Sequence, residues 1–136
     1  TDTVFKPFRE DAKTPKVADV MTKKVVTAEL SASIEDVSGL LIENDIDQVP
    51  ITKDGRPVGI VTSLDVTKAV AGKKKNLAQV MSTGLITSRP DENLDAVSRR
   101  LDKHGINSTP VVDDAGALVG IITLGDINRV YRRLVK

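Results

Sequence analysis

Apolar residues recur along this chain with two different periods. They fall at Ile34, Val37 and Leu41, and again at Leu94, Val97 and Leu101. The i, i+3, i+7 spacing predicts a helix with one buried face in each stretch. Ser33 and Asn93 stand just ahead of these runs and are the expected N-caps, because a side-chain oxygen there takes up an unpaired N–H of the first turn. After each helix come two apolar runs, residues 48–52 and 57–62 around Asp54-Gly55, then residues 108–112 and 118–123 around Asp114-Ala115-Gly116. Glycine-bearing turns between such runs predict hairpins. A brief strand is expected before each helix, at 25–27 and 85–87, and a last helix after each hairpin, starting near Ser63 and Leu124.

The elements come twice because the sequence does. A shift of 60 residues aligns Ala18-Asp19-Val20-Met21-Thr22 with Ala78-Gln79-Val80-Met81-Ser82, and Val49-Pro50-Ile51 with Thr109-Pro110-Val111. One extra residue near 113–115 makes the shift 61, and Gly59 to Asp65 then meets Gly120 to Asp126. This is a tandem duplication of an α/β (α+β) unit, β-α-β-β-α. The copies are expected at residues 16–72 and 73–136, joined at Gly72-Lys73-Lys74-Lys75-Asn76, with residues 1–15 as a wrapping segment. A unit of roughly 60 residues is marginal alone. The two are therefore expected to pack sheet to sheet about a pseudo-twofold axis, fused into one core.

Composition narrows the function. The chain of 136 residues has no cysteine and one histidine, so thiolate chemistry and a His-rich metal site are out. Its only aromatics are Phe5, Phe8 and Tyr131, which offer no base-stacking surface for single-stranded nucleic acid and are read as packing residues. Net charge is +1, distributed as −3 over residues 1–72 and +4 over the rest. That gives no strong pull toward nucleic acid or membrane, and no apolar run approaches a membrane span. A start at Thr1, with methionine only at 21 and 81, reads as a processed chain or an excised piece. His104, near a helix end, is read as a surface or capping residue, and Lys73-Lys74-Lys75 as a solvated linker.

The chemistry-bearing motif is Gly59-Ile60-Val61-Thr62-Ser63-Leu64-Asp65, repeated as Gly120-Ile121-Ile122-Thr123-Leu124-Gly125-Asp126. It places a strand end against a helix N-terminus, where unpaired N–H groups and the dipole favour an anion such as phosphate. The Thr hydroxyl adds a donor, and the Asp carboxylate suits a pair of ribose hydroxyls. Glycine at 59 and 120 lets another group approach the backbone. The same Thr and Asp spacing also reads as a capping box that only starts a helix.

These units resemble a tandem pair of CBS domains, often called a Bateman module, over nearly the whole chain. The resemblance rests on Val20-Met21-Thr22 with Val25-Val26-Thr27, on Val49-Pro50-Ile51 and the Gly59-to-Asp65 run, and on their counterparts Val80-Met81-Ser82 with Leu85-Ile86-Thr87, Thr109-Pro110-Val111 and Gly120 to Asp126. It implies an adenosine-ligand site between the repeats, up to two per chain. Asp65 and Asp126 would hold ribose, and Thr62 and Thr123 would approach phosphate. Val26, Thr27, Ile86 and Thr87 would lie against adenine, with Pro50, Ile51, Pro110 and Val111 as the apolar wall. Some family members carry a basic residue before the Pro-containing strand. Here those positions are Asp47-Gln48 and Asn107-Ser108, so phosphate contacts fall to Lys23, Lys24, His104 or Arg129. Asp45 and Asp47 would oppose a polyphosphate, which makes the two sites unequal.

The expected function is a cytoplasmic regulatory module that binds AMP, ADP, ATP or a similar adenosine compound, pairs as a homodimer and controls a partner protein or domain. The alternative is a structural or dimerisation module with silent clefts. An enzyme is not expected: no nucleophile–base pair and no phosphate loop are present.

Overall fold

The computed structural model describes residues 14–134. In order they form α1 (Val17–Val20), β1 (Ala28–Glu29), α2 (Ile34–Glu43), β2 (Gln48–Lys53), β3 (Arg56–Thr62), α3 (Ser63–Ala71), a 3-10 turn at Leu77–Gln79, α4 (Leu94–His104), β4 (Ser108–Val112), β5 (Leu118–Thr123) and α5 (Leu124–Leu134). Phe5 and Phe8, and with them most of the expected wrapping segment, lie outside the described residues.

Local chemistry explains most boundaries. Ser33 Oγ accepts the Asp36 N–H at 2.9 Å, and the Asp36 carboxylate accepts the Ser33 N–H at 3.3 Å, so α2 starts on a capping box. Asp54 and Gly55 both have positive φ, +54° and +78°, as the tight hairpin between β2 and β3 requires. The second hairpin spends its extra residue on a wider turn, in which Asp113 Oδ1 accepts the N–H groups of Ala115 and Ala117, each at 2.9 Å.

Two local expectations are corrected. Asn93 occupies the N-cap position of α4 but makes no side-chain cap; its Oδ1 instead accepts from Lys16 Nζ at 2.8 Å. The brief strands begin later than residues 25–27 and 85–87. In the first repeat β1 pairs parallel to β2 with Ala28 opposite Ile51, and in the second a single bridge joins Ser88 to Val111. The reason is covalent. A parallel ladder beside Val26 and Ile86 needs the N–H of residues 50 and 110, and both are proline.

The sheets are β1-β2-β3 and β4-β5. Each is extended by the leading segment of the other repeat. Thr22 bridges Ile121 through hydrogen bonds of 2.9 and 3.0 Å, and Ser82 bridges Ile60 through bonds of 2.9 and 3.0 Å. The cores follow the same exchange. Val17 of α1 is buried with Leu94, Val97, Leu101, Val111, Ile122 and Ile127. Leu77 is buried with Ile34, Val37, Leu41, Val49, Ile51 and Val61. The expected single fused core is therefore two apolar clusters, each closed by a residue leading the opposite repeat. The reciprocity is that of a pseudo-twofold axis, beside which the equivalent residues Gln48 and Ser108 hydrogen-bond to each other.

Candidate functional site

Two clefts open where the repeats meet, and both repeats line each one. The larger, about 750 Å³, is lined by Val26 and Pro50 of the first repeat and by Thr123, Asp126 and Arg129 of the second, with Lys24, Asp45 and Asp47 at its wall. The smaller, about 560 Å³, is lined by Ile86 and Pro110 of the second repeat and by Ile60 and Thr62 of the first. Both volumes suit a nucleoside-sized ligand. Gln48 borders both clefts.

The strand-to-helix motifs supply one end of each cleft. Thr62 caps α3: its Oγ1 accepts the Asp65 N–H at 3.1 Å, and the Asp65 carboxylate accepts the Thr62 N–H at 2.9 Å. Thr123 and Asp126 make the same pair of bonds at 3.1 and 3.0 Å at the start of α5. Asp126 is further engaged, since its second oxygen accepts from Arg129 in an ion pair. The capping reading is thus realised in both copies, while Thr62, Thr123 and Asp126 also face the clefts.

The remaining expected residues divide. Thr27, Thr87 and Asp65 line neither cleft. Ile51 and Val111 are fully buried in the two apolar clusters and form no cleft wall. Side chains alternate along a strand, so Pro50 and Pro110 facing the clefts send Ile51 and Val111 to the other side. Of the candidate phosphate contacts, Lys24 and Arg129 line the larger cleft, whereas Lys23 and His104 line neither. The glycines at 59 and 120 are approached closely, but by protein: a Cβ on Gly59 would lie 2.5 Å from Met81 Sδ, and one on Gly120 2.5 Å from Met21 Sδ.

The clefts differ in charge. The larger carries Lys24 and Arg129 against Asp45, Asp47 and Asp126. Among the described residues the smaller has no ionisable side chain in its lining; its polar groups are the hydroxyls and amides of Gln48, Thr62, Ser82, Thr83, Asn107 and Ser108. The sequence reading missed this neutral polar lining, in which Thr83 and Asn107 stand where the first repeat has the charged Lys23 and Asp47.

Behind Ile86 stands a polar chain. Arg100 Nη1 donates to Ser88 Oγ at 2.9 Å, Ser88 and Thr109 share a hydroxyl–hydroxyl bond of 3.1 Å, and Thr109 Oγ1 donates to the Ile86 carbonyl at 2.7 Å. Ser88 and Thr109 are fully buried. Arg100 is anchored by Glu92; that bond holds the Glu92 carboxyl below its ordinary range, against burial, and raises the guanidinium in return. Among the described residues no group of three metal-ligating side chains is found, and no helix is long and apolar enough to cross a membrane.

A family model described as the CBS domain matches residues 17–72 and again residues 77–133. The homoserine O-acetyltransferase of Methanococcoides burtonii is 43% identical over 115 residues, 84% of this chain and 24% of that protein. The L-aspartate semialdehyde sulfurtransferase of Methanocaldococcus jannaschii is 37% identical over 133 residues, 96% of this chain and 26% of that protein. The chain therefore spans about a quarter of the length of these curated relatives. Among solved structures, the CBS domain pair of protein MJ0100 in complex with 5′-methylthioadenosine and S-adenosyl-L-methionine aligns with a TM-score of 0.83 and 37% identity, covering 89% of this chain and 98% of that one. The protein CBSX2 in complex with AMP aligns with a TM-score of 0.78 and 26% identity, covering 89% and 98%.

Proposed function

The chain belongs to the CBS-domain family, carrying two copies in tandem, and on that premise we propose that it is a regulatory module whose two clefts take an adenosine-type ligand. The observation that carries this reading is that each cleft is walled by both repeats. A ligand seated there favours one relative placement of the repeats, and differential affinity for two placements is what a regulatory ligand needs. The structural relatives holding AMP, 5′-methylthioadenosine and S-adenosyl-L-methionine support an adenosine moiety. Thr62, Thr123 and Asp126 are among the polar groups offered to it, with Val26, Pro50, Ile86 and Pro110 as apolar walls.

The module acts on a partner protein or domain, works as a homodimer in the cytoplasm and leaves catalysis to that partner. The capping bonds favour a second reading, a structural or dimerisation module, because Thr62–Asp65 and Thr123–Asp126 already satisfy one another. Calorimetric titration with AMP, ADP, ATP, 5′-methylthioadenosine and S-adenosylmethionine separates the two. Binding by the wild type that is weakened in Asp126→Ala supports the sensor, with Asp65→Ala as the comparison outside the cleft lining. No heat with any of these compounds leaves the structural module. A solution mass measurement tests the homodimer.

A further inference from the structure

Val26 and Ile86 hold equivalent positions, one in the wall of each cleft, and their carbonyl groups are in different states. Each would be the ladder acceptor for the N–H of residue 50 or 110, but proline has none. In the second repeat the lost donor is replaced: Thr109 Oγ1 reaches the Ile86 carbonyl at 2.7 Å from the buried side of β4. The first repeat has no such donor. Its equivalents of Arg100, Ser88 and Thr109 are Leu40, Ala28 and Val49, and among the described residues nothing donates to the Val26 carbonyl. Val49 is fully buried, so no water replaces the hydroxyl from that side.

We infer that Thr109 and Val49 set unequal base selectivity in the two clefts, with the larger cleft demanding an amino donor on the ligand and the smaller one indifferent to it. This rests on the reading that a purine nucleoside lies against Val26 and Ile86. A ligand that covers the Val26 carbonyl removes it from water. An amino group, as on adenosine, restores the hydrogen bond; a carbonyl oxygen, as on inosine, leaves the acceptor unpaired and facing another acceptor. An unsatisfied buried acceptor is the costly case, whereas a satisfied one adds little. Covering the Ile86 carbonyl strands nothing, because Thr109 still donates to it. The chain Arg100–Ser88–Thr109 orients that hydroxyl, and successive hydrogen bonds of this kind strengthen one another. Thr109 is a positioning residue here: it touches no cleft surface and acts through Ile86.

The test is a nitrogen-edited NMR titration of the whole chain with adenosine and with inosine, reading the Val26 and Ile86 amides as reporters of the two clefts. The adenosine-to-inosine affinity ratio is expected to be about tenfold greater at the larger cleft. Val49→Thr should lower that ratio at the larger cleft alone. Thr109→Val should raise it at the smaller cleft alone, and Thr109→Ser, which keeps the hydroxyl, should leave it near the wild-type value. A merely structural Thr109 would weaken both nucleosides together and leave the ratio unmoved. Equal ratios in the two clefts, unchanged by Val49→Thr and Thr109→Val while adenosine still binds, overturn the inference and spare the binding reading. If adenosine, AMP and S-adenosylmethionine all leave both amides unmoved, the binding reading fails and this inference fails with it.

Discussion

Met21 lies directly against the backbone of Gly120, although the two belong to different repeats. A Cβ on Gly120 would come within 2.5 Å of Met21 Sδ and 3.0 Å of the Thr22 carbonyl oxygen. Met81 and Gly59 make the mirror contact, with 2.5 Å to Sδ and 2.8 Å to Cγ. These two contacts press the leading segment of each repeat onto the last strand of the other, where the Thr22–Ile121 and Ser82–Ile60 bridges form.

Gly120→Ala should therefore destabilise the chain by about 1–3 kcal/mol, the range for forcing extra volume into a packed site. Thermal or urea unfolding measures it. Combining Gly120→Ala with Met21→Ala should cost less than the two single changes added together, because removing the thioether vacates the space the new methyl needs. Strict additivity would show that the contact is not close.

Tyr131 gives a spectroscopic reading of the second core. Its hydroxyl donates to Asp95, and burial first, then that bond, push its pKa from 10.0 up to about 12. It is the only tyrosine and the chain has no tryptophan, so the ultraviolet tyrosinate signal reports this residue alone. The fold favours the protonated phenol. That contribution is complete below about pH 10 and is lost as pH rises through about 12. Titration of the folded protein should show the rise in tyrosinate well above its ordinary pH. Asp95→Asn should bring it partway down, leaving the shift that burial causes.

The helix starts can be tested without any ligand. Thr62→Ala and Thr123→Ala each remove an oxygen that accepts an N–H of the first turn, and each should cost about 1 kcal/mol in unfolding experiments. Ser33→Ala belongs to the same class, since Ser33 caps α2. Asn93→Ala should cost less at the helix start, because Asn93 makes no cap there.

The duplication was readable because helix and strand periods repeat at a fixed offset, and the two hairpins and α2 through α5 follow from it. The exchange of leading segments was not. Both repeats carry the same methionine and the same glycine, so each glycine has two equivalent partners in the sequence and only packing selects the distant one. The cleft walls were half legible. Pro50 and Pro110 line them, whereas the alternation of a strand turns the expected wall residues Ile51 and Val111 into the buried clusters. In the sequence Thr109 is one residue of the apolar run 108–112. Its meaning appears only when the missing N–H of Pro110 is matched to the carbonyl of Ile86 across the parallel pair.

The charges of the larger cleft predict an order among nucleotides. Arg129 is already committed to Asp126, which leaves Lys24, among the described residues lining this cleft, as the cation with no ion pair, near Asp45 and Asp47. Each added phosphate brings further negative charge toward those two carboxylates, and like charges within a few ångströms repel even through partly screening solvent. Affinity at this cleft should therefore fall from AMP to ADP to ATP. The double variant Asp45→Asn, Asp47→Asn should improve ATP several-fold more than it improves adenosine, with the gain shrinking as salt is raised. Competition titrations at two ionic strengths measure both effects. Wild-type protein that binds ATP more tightly than AMP would mean that the two carboxylates turn away from the bound phosphates.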